Sequence, residues 1–181
     1  GVDEFYKYQV EPTMYACARM QNRGIQIDTE ARTRLAGEAR NRIEEAQIRI
    51  NKKVGRELNP RSPKQMLTFL YEDLMLPKHY EMDKQTRTKR LTANADAIEK
   101  LRAKYPEHKP ILDDVLSIRE DTKLLSTVLE APLRSDGILT TSFNVAGTVN
   151  GRLSSSSNVF GEGMNVQQVH RGEVRRIFIP P

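Results

Sequence analysis

The fold of this chain is decided by residues 29–53, which read TEARTRLAGEARNRIEEAQIRINKK. Asp28 stands where a helix N-cap is expected, and Glu30 in the first turn suits the positive end of the helix dipole. Apolar residues then recur every three or four positions, as on one face of a helix: Leu35, Ala39, Ile43, Ala46, Ile50 and Val54. The pattern predicts one long helix of roughly 37 Å, at about 1.5 Å per residue.

Further helices have start signals in the sequence. Ser62-Pro63-Lys64-Gln65 combines an N-cap serine, a proline at the first helical position and a glutamine that closes a capping box, and Pro77 is expected to end this helix. The polar, basic residues 78–91 follow as a predicted mobile loop, and Thr92 is expected to cap a short helix. Pro110 opens the last long helix, whose apolar seam consists of Ile111, Val115, Ile118, Thr122, Leu125 and Leu129.

The character of the chain changes after Pro132. Asp136-Gly137 predicts a turn, and strands are predicted at residues 138–144 and 175–180. Because two short strands do not make a stable sheet, we expect a segment outside this chain to complete it. The predicted fold class is mainly α, with long antiparallel helices followed by the first strands of an α/β region that is incomplete on this chain.

Composition allows several kinds of partner. The 181 residues include 29 Lys+Arg and 24 Asp+Glu, a net charge of +5, which fits either a phosphate-bearing partner or a mildly basic, solvated helical protein. Cys17 is the only cysteine, so a disulfide framework and a thiolate metal site are excluded and an intracellular location is expected. No apolar run approaches the length of a membrane span, so no membrane partner is expected.

One stretch is rich in hydrogen-bond donors. Thr148-Val149-Asn150-Gly151-Arg152-Leu153-Ser154-Ser155 is followed by Asn165-Val166-Gln167-Gln168. The set offers hydroxyls, side-chain amides and a single fixed charge, that of Arg152. This combination suits contacts to the base edges and sugars of a nucleic acid better than it suits acid–base chemistry.

Two pairs of adjacent carboxylates, Asp113-Asp114 and Glu120-Asp121, resemble the ligands of a two-metal site at first sight. Neighbouring residues on a helix point about 100° apart, so neither pair converges on one ion. We expect these residues to be surface charges.

Five segments stand in the order of the motifs of one protein family. They are Gly24-Ile25-Gln26-Ile27-Asp28, then Leu58-Asn59-Pro60-Arg61-Ser62-Pro63-Lys64-Gln65, then Arg119-x-x-x-Lys123-Leu124-x-Ser126-Thr127, then Asp136-Gly137 with Phe143-Asn144, and Thr148-x-x-Gly151-Arg152-Leu153-Ser154-Ser155. This set resembles the family A DNA polymerases, which include bacterial DNA polymerase I and its phage relatives. Asn150 replaces a threonine of the family, and residues 158–163 lengthen the loop in the manner of certain phage members.

The resemblance implies a leading helix or linker from a preceding domain at residues 1–27, a helical thumb at 28–132 and the N-terminal part of a palm at 133–181. It implies binding of primer–template DNA and alignment of the primer terminus, within a DNA-directed DNA polymerase of a bacterial or phage-infected cell. The catalytic carboxylates, the Mg²⁺ ions of two-metal nucleotidyl transfer and the dNTP site are expected on a C-terminal polymerase fragment (fingers and rest of palm). No catalytic or metal-binding residue is expected on this chain, which is predicted to be inactive alone.

The resemblance also implies which residues contact DNA. Arg152 is expected in the minor groove at the primer terminus, where purine N3 and pyrimidine O2 accept hydrogen bonds in nearly equivalent places for every correct pair. Contacts to sugars, base edges or backbone are expected from Asn165, Gln167, Gln168, Ser154, Ser155, Thr148 and Ser126. Phosphate contacts are expected from Arg119, Lys123, Lys64, Lys84, Arg87, Lys89 and Arg90.

Two other functions stay open at this point. One is a non-enzymatic nucleic-acid-binding module, which equal affinity for single strands and primed duplex would favour. The other is a helical scaffold whose charged faces contact proteins, which salt-independent behaviour without DNA binding would favour.

Overall fold

The structure, a computed structural model, describes residues 1–83, 86–169 and 172–179. It consists of two units, the first formed by Gly1–Glu38 with Leu124–Pro181 and the second by Ala39–Lys123. Helices account for most of the elements, which confirms the mainly α fold class. The domain boundaries expected after residues 27 and 132 stay a prediction.

The helices are α1 (Val2–Phe5), α2 (Glu11–Arg23), α3 (Thr29–Val54), α4 (Pro63–Thr68), α5 (Ala95–Lys104) and α6 (Lys109–Leu124). Short π-helical segments join or extend them at Tyr6–Val10, Phe69–Asp73 and Leu125–Leu129. Short 3-10 helices lie at Pro106–His108, Val166–Gln168 and Glu173–Ile177. Within the described ranges, no helix is long and apolar enough to cross a membrane.

The strands are short and pair in antiparallel twos. They are β1 (Gln26–Ile27), β2 (Tyr80–Met82), β3 (Lys89–Leu91), β4 (Ser142–Asn144), β5 (Ser154–Ser156) and β6 (Phe178–Ile179). β1 pairs with β6, β2 with β3, and β4 with β5.

Helix α3 forms where the sequence predicts it. The Asp28 carboxylate accepts a hydrogen bond from the Ala31 amide at 2.8 Å, which confirms the N-cap. The predicted apolar stripe is confirmed too, since Ala39, Ala46 and Ile50 are buried and Leu35, Ile43 and Val54 are partly buried. On the exposed side, Arg34 pairs with Glu38 one turn further along at 2.8 Å.

The hydrophobic core of the second unit lies among α3, α4, α5 and α6. Its largest fully buried side chains include Ile50, Met66, Phe69, Leu70, Ile98, Leu101 and Leu112. The α6 seam is buried at Ile111, Val115 and Ile118 as predicted, whereas Thr122 is half-buried. In the first unit, Leu125 and Leu129 are buried and continue the predicted apolar spacing.

Two arginines of α3 bind carboxylates of α6 within the second unit. Arg42 donates from Nη2 to Asp121 Oδ1 at 2.6 Å and from Nε to Oδ2 at 3.0 Å. Arg49 donates from Nη2 to Asp114 Oδ1 at 2.7 Å. From the first pair to the second, the residue number rises from 42 to 49 along α3 and falls from 121 to 114 along α6. The two helices therefore run antiparallel, as predicted.

The prediction of surface charges is wrong for Asp121, which is only 6% exposed. Its neighbour Glu120 is exposed, as expected. Packing removes the Asp121 carboxylate from water, and its hydrogen bonds to the Arg42 guanidinium offset the lost hydration. Asp114 is likewise half-buried beside Arg49 rather than fully solvated.

Two predicted helix caps differ in detail. The Ser62 hydroxyl does accept a hydrogen bond from the Gln65 main-chain amide at 3.4 Å. However, the side-chain oxygen Oε1 of Gln65 accepts from the Asn59 main-chain amide at 2.8 Å instead of closing a capping box on Ser62. The cap of α5 is Asn94, whose oxygen accepts from the Ala97 amide at 2.9 Å, and the predicted cap Thr92 instead accepts from the Asn94 amide. Thr92 lies two residues before the true N-cap, Asn94. Both side chains can accept a hydrogen bond from a nearby main-chain amide, so the sequence alone does not show which of them is the cap.

The predicted loop at residues 78–91 is in fact a hairpin over its described part. β2 and β3 pair in the register Tyr80 with Leu91, Glu81 with Arg90 and Met82 with Lys89. The preceding helical segment ends at Asp73, so Pro77 does not end it as predicted. The hairpin was missed because its strands are mostly polar and exposed, and they lack the alternation that marks a half-buried strand.

The two predicted strands of the first unit are shorter than expected. The stretch 138–144 becomes a strand only at β4, although Leu139 forms an isolated bridge with Ile25. The stretch 175–180 begins as part of a 3-10 helix, and among its described residues the strand consists of Phe178 and Ile179, while Pro180 lies outside the described residues. Each strand finds a partner inside the chain, in β5 and β1, which the sequence did not reveal.

The ion pair of Asp121 can be tested by substitution. Asp121→Ala should lower the free energy of unfolding by about 1.5 kcal/mol, because a charge-assisted pair with a buried acceptor is lost. Glu120→Ala removes the same charge from the adjacent exposed position and should change it by less than about 0.5 kcal/mol. Urea unfolding of both variants gives the comparison, and equal losses would contradict a special role for the buried carboxylate.

Candidate functional site

A cleft of about 320 Å³ lies in the first unit and collects residues from separate motifs. Ser126 comes from the segment that follows α6, Ser155 from β5, and Asn165 and Gln168 from the turn at Val166–Gln168 and its N-cap. All four are among the residues singled out in the sequence. The fold therefore brings three distant stretches of the chain to one concave surface.

One wall of the cleft is held by Arg32 near the start of α3. Its Nε donates to the Leu129 carbonyl at 2.7 Å and its Nη2 to the Ala131 carbonyl at 2.5 Å. Ala131 and its neighbour Pro132 line the cleft. Burial lowers the pKa of the Arg32 guanidinium below its ordinary value, and Glu130 opposes that effect. The guanidinium binds carbonyls that have no further helical amide to pair with.

Another part of the cleft lining is held by an internal hydrogen-bond network. The buried Ser155 hydroxyl donates to Asn165 Oδ1 at 2.6 Å. The same oxygen caps the next turn by accepting from the Gln167 amide at 3.1 Å, and Gln167 Nε2 donates to the Leu153 carbonyl at 3.0 Å. These bonds fix the orientation of Asn165, because its oxygen is engaged twice.

Arg152 lies on the loop between β4 and β5 and is exposed. The loop is closed behind it, since the Thr148 hydroxyl donates to the Arg152 carbonyl at 2.6 Å and the Gly151 amide to the Thr148 carbonyl at 3.3 Å. No hydrogen bond or ion pair of the Arg152 guanidinium is found to any described residue. A structural salt bridge thus has no support in the described chain, and the charge is directed to solvent.

The remaining polar groups of this unit differ in availability. Within the described residues, the Asn165 Nδ2 and the Gln168 side-chain amide have no hydrogen-bond partner, so both can donate into the cleft. Thr148 and Gln167 are engaged in holding the loops. Ser154 is half-buried and, as the strand neighbour of Ser155, its side chain points to the opposite face of β5.

Arg119 belongs to the second unit and is bonded to main chain. Its Nε donates to the Pro60 carbonyl and its Nη1 to the Ala93 carbonyl, both at 2.7 Å. Burial lowers the pKa of its guanidinium below the ordinary value. Arg119 therefore helps to hold two segments of the unit together, and its expected phosphate contact stays a prediction.

The other basic residues predicted to meet phosphates are exposed. Lys64 stands in the first turn of α4 and Lys123 in the last turn of α6. Lys89 and Arg90 are consecutive on β3, so their side chains point to opposite faces of the hairpin. Arg87 precedes them with a positive φ of 54°, and Lys84 lies outside the described residues.

Two site residues were missed by the sequence reading. Arg32 is one of them, because a single sequence does not reveal which main-chain carbonyls lie against a helix. Gly163 lines the cleft with φ +83°, and a Cβ there would meet the Thr140 carbonyl oxygen at 2.2 Å. The Gly161-Glu162-Gly163 spacing is a signal of a tight turn that could have suggested it.

The comparisons with known proteins reported below all match the same family. The family model for DNA polymerase family A matches residues 29–181. DNA polymerase I of Geobacillus stearothermophilus is 32% identical over 174 residues, which are 94% of this chain and 19% of that protein. DNA polymerase I of Mycobacterium leprae is 35% identical over 147 residues, which are 80% of this chain and 15% of that protein.

A solved structure agrees with the sequence relatives. The POL domain of Pol1 from M. smegmatis, in complex with DNA primer-template and dNTP, matches with a TM-score of 0.73 at 30% identity. The match covers 92% of this chain and 28% of that one. The chain thus spans less than a fifth of the two sequence relatives and under a third of the solved chain.

The Ser155 network can be tested against its neighbour on β5. Ser155→Ala should lower the free energy of unfolding by about 1 kcal/mol, because Asn165 loses a buried donor. It should also shift the NMR signals of the Asn165 and Gln167 side-chain amides, since the bond that orients them is gone. Ser154→Ala is the matched control and should leave these amide signals in place. Unchanged signals in Ser155→Ala would contradict the network.

Proposed function

Because the chain belongs to DNA polymerase family A, we propose that it binds primer–template DNA and aligns the primer terminus within a DNA-directed DNA polymerase. The observation that carries this proposal is the cleft of the first unit. It joins Ser126, Ser155, Asn165 and Gln168 on one surface, next to the loop that presents Arg152. The solved relative, a polymerase domain in complex with DNA primer-template and dNTP, supports the choice of partner.

The chemistry of this surface suits contacts that do not depend on sequence. Its available groups are donors: the Arg152 guanidinium and the amides of Asn165 and Gln168. In the minor groove every correct base pair offers acceptors, purine N3 and pyrimidine O2, in nearly equivalent places. A donor fixed there detects the geometry of the pair without reading its identity. We assign Arg152 to the primer-terminal pair and the two amides to neighbouring sugars and base edges.

Ser155, Gln167 and Thr148 act in this proposal by holding the donors in place. Their hydrogen bonds close the loops on both sides of Leu153. Ser154 and Ser126 remain candidates for backbone contacts. A network that is already formed before DNA binds reduces the ordering that binding requires.

Phosphate contacts are proposed for the basic residues of the second unit. Lys123, Lys64, Arg87, Lys89 and Arg90 are exposed, and the chain carries a net charge of +5. Each phosphate that such a residue neutralises releases condensed counterions. The slope of the logarithm of the binding constant against the logarithm of the salt concentration therefore becomes steeper by about 0.9. Arg119 contributes through the fold that presents these side chains.

Nucleotidyl transfer itself is proposed to depend on parts of the complete polymerase outside residues 1–181. The described residues do not fit a Mg²⁺ site, because they contain no group of three or more His, Cys, Asp or Glu side chains that could hold a metal ion. Asp114 and Asp121 are bonded to arginines instead. We propose that a C-terminal polymerase fragment, with the fingers and the rest of the palm, supplies the Mg²⁺ ligands and binds dNTP.

The domain assignment follows the same proposal. Residues 28–132 form the thumb and residues 133–181 the first part of the palm, with residues 1–27 as a linker from a preceding domain. The two long antiparallel helices of the second unit are consistent with a thumb that grips duplex DNA. We propose that the complete protein acts inside a bacterial or phage-infected cell.

Arg152 is the most direct test of primer-end alignment. Arg152→Ala should weaken binding of a correctly paired primed hairpin by about tenfold, because one good base contact is worth about 1–3 kcal/mol. It should bind a hairpin with a mispaired primer end nearly as the unsubstituted chain does, so the preference for the paired end is lost. Fluorescence anisotropy titrations with both hairpins, at several salt concentrations, measure these affinities.

Lys89→Ala is the matched control for Arg152→Ala. It should weaken both hairpins equally and reduce the salt slope by about 0.9, since it removes a phosphate contact. If Arg152→Ala also weakens both hairpins equally, the alignment role is contradicted. If the unsubstituted chain binds single strands as tightly as primed duplex, the chain is a general nucleic-acid-binding module instead.

A further inference from the structure

The loop at residues 158–162 is stiffened by its own hydrogen bonds. Asn158 Oδ1 accepts from the amides of Phe160 and Glu162, both at 2.9 Å. Its Nδ2 donates to the Glu162 carboxylate at 3.0 Å, and its main-chain amide donates to the Glu162 carbonyl at 2.8 Å. A loop bonded in this way loses little conformational freedom when it meets a partner.

Both ends of this loop belong to the rim of the cleft. Ser157 precedes it and Gly163 follows it, and both line the cleft. The Gly163 amide donates to the Pro132 carbonyl at 2.7 Å, and the next residue, Met164, is buried. The close approach of Gly163 to Thr140 leaves no room for a Cβ. The loop is therefore anchored to the body of the first unit beside the proposed DNA surface.

The loop presents two apolar side chains to solvent. Val159 is 93% exposed and Phe160 is 83% exposed. A fixed loop that holds a phenyl ring in water forgoes the free energy that burial of the ring would provide. The ring is available for contact with a partner, on a loop whose flanking residues Ser157 and Gly163 line the cleft.

The chemistry of the loop selects which part of DNA it contacts. Residues 158–163 contain no lysine or arginine, and the one acidic residue, Glu162, is bonded to Asn158. The loop is therefore unsuited to phosphates and suited to the flat, apolar face of a base. Inside a duplex these faces are stacked, and separating a step costs a few kcal/mol. At a primer–template junction, the first unpaired template base already exposes one face.

We propose that Phe160 stacks on the first unpaired template base at the primer–template junction. The stacked ring fixes the junction along the cleft, while the donors of Arg152 and Asn165 hold the adjoining pair. This inference rests on the proposed function, since it requires DNA in the cleft. The proposed Arg152 contact depends on the geometry of a base pair. The Phe160 contact is of a different kind, because it depends on an unpaired base at the junction.

The test pairs a change in the protein with a change in the DNA. The chain and its Phe160→Ala variant are titrated with a primed hairpin carrying a template overhang, and with the same hairpin whose first unpaired template position is abasic. Phe160→Ala should weaken binding of the normal hairpin by about tenfold, the range of base–aromatic stacking. The abasic hairpin should bind both proteins equally weakly, because the two changes remove the same contact.

Further variants separate stacking from simple apolar contact. Phe160→Trp should retain the affinity for the normal hairpin, and Phe160→Leu should lose most of it, because a leucine has no flat face to stack. Phe5→Ala is the matched control, since Phe5 is also exposed, at 62%, but lies on α1. It should leave both affinities unchanged. Urea unfolding should give nearly equal stabilities for the Phe160 variants, because the side chain is largely exposed.

The outcomes separate this inference from the proposed function. If the chain prefers primed hairpin to single strand and Phe160→Ala binds as tightly as the unsubstituted chain, stacking is overturned while the proposed function is retained. Additive losses from Phe160→Ala and the abasic position also overturn it. If the chain has no preference for primed DNA at all, both the proposed function and the stacking contact fail.

Discussion

The cleft depends on one half-buried guanidinium, that of Arg32, and on the two carbonyls that it binds. Leu129 ends the helical segment that follows α6 and Ala131 lies just beyond it, where carbonyl groups lack helical amide partners. Arg32 supplies those partners from the first turns of α3, so the chain is fixed as it turns toward Pro132. The Pro132 carbonyl in turn accepts from Gly163, which ties the opposite rim to the same wall. Loss of this guanidinium would leave two buried acceptors unpaired and the wall without a fixed position.

The polar residues of the cleft are likewise held by hydrogen bonds within the protein. Ser155 and Gln167 do not compete with a ligand, because their hydrogen bonds are satisfied within the protein. The groups left over, the Asn165 and Gln168 amides and the Arg152 guanidinium, are donors. In the proposed complex with DNA, these donors and the exposed Phe160 ring make two kinds of contact that tolerate any base sequence. In that proposed complex, the donors test the geometry of a base pair and the ring requires a free base face.

Sequence patterns within a few helical turns were sufficient to predict much of this fold. Contacts between segments distant in sequence could not be predicted from one sequence. The Asp28 cap, the α3 stripe and the α6 seam follow from residues within a few turns of each other. The β2–β3 hairpin, the 3-10 helix at Glu173–Ile177 and the partners of β4 and β6 depend on contacts between segments, which a single sequence does not display. The burial of Asp121 and the carbonyl clamp of Arg32 were missed for the same reason. In the site, the motif residues were predicted from the family resemblance, whereas their division into donors and supporting groups required coordinates.

The central claim is that the donor-lined cleft of the first unit holds the primer end. Hydrogen–deuterium exchange of the chain, with and without a primed hairpin, tests it most directly. If DNA occupies the cleft, exchange should slow on DNA binding in residues 126–132, 152–157 and 163–168, which form the cleft and the Arg152 loop. A blunt duplex should give weaker protection there at matched occupancy. Protection confined to the β2–β3 hairpin, with no change in these three segments, would contradict the account.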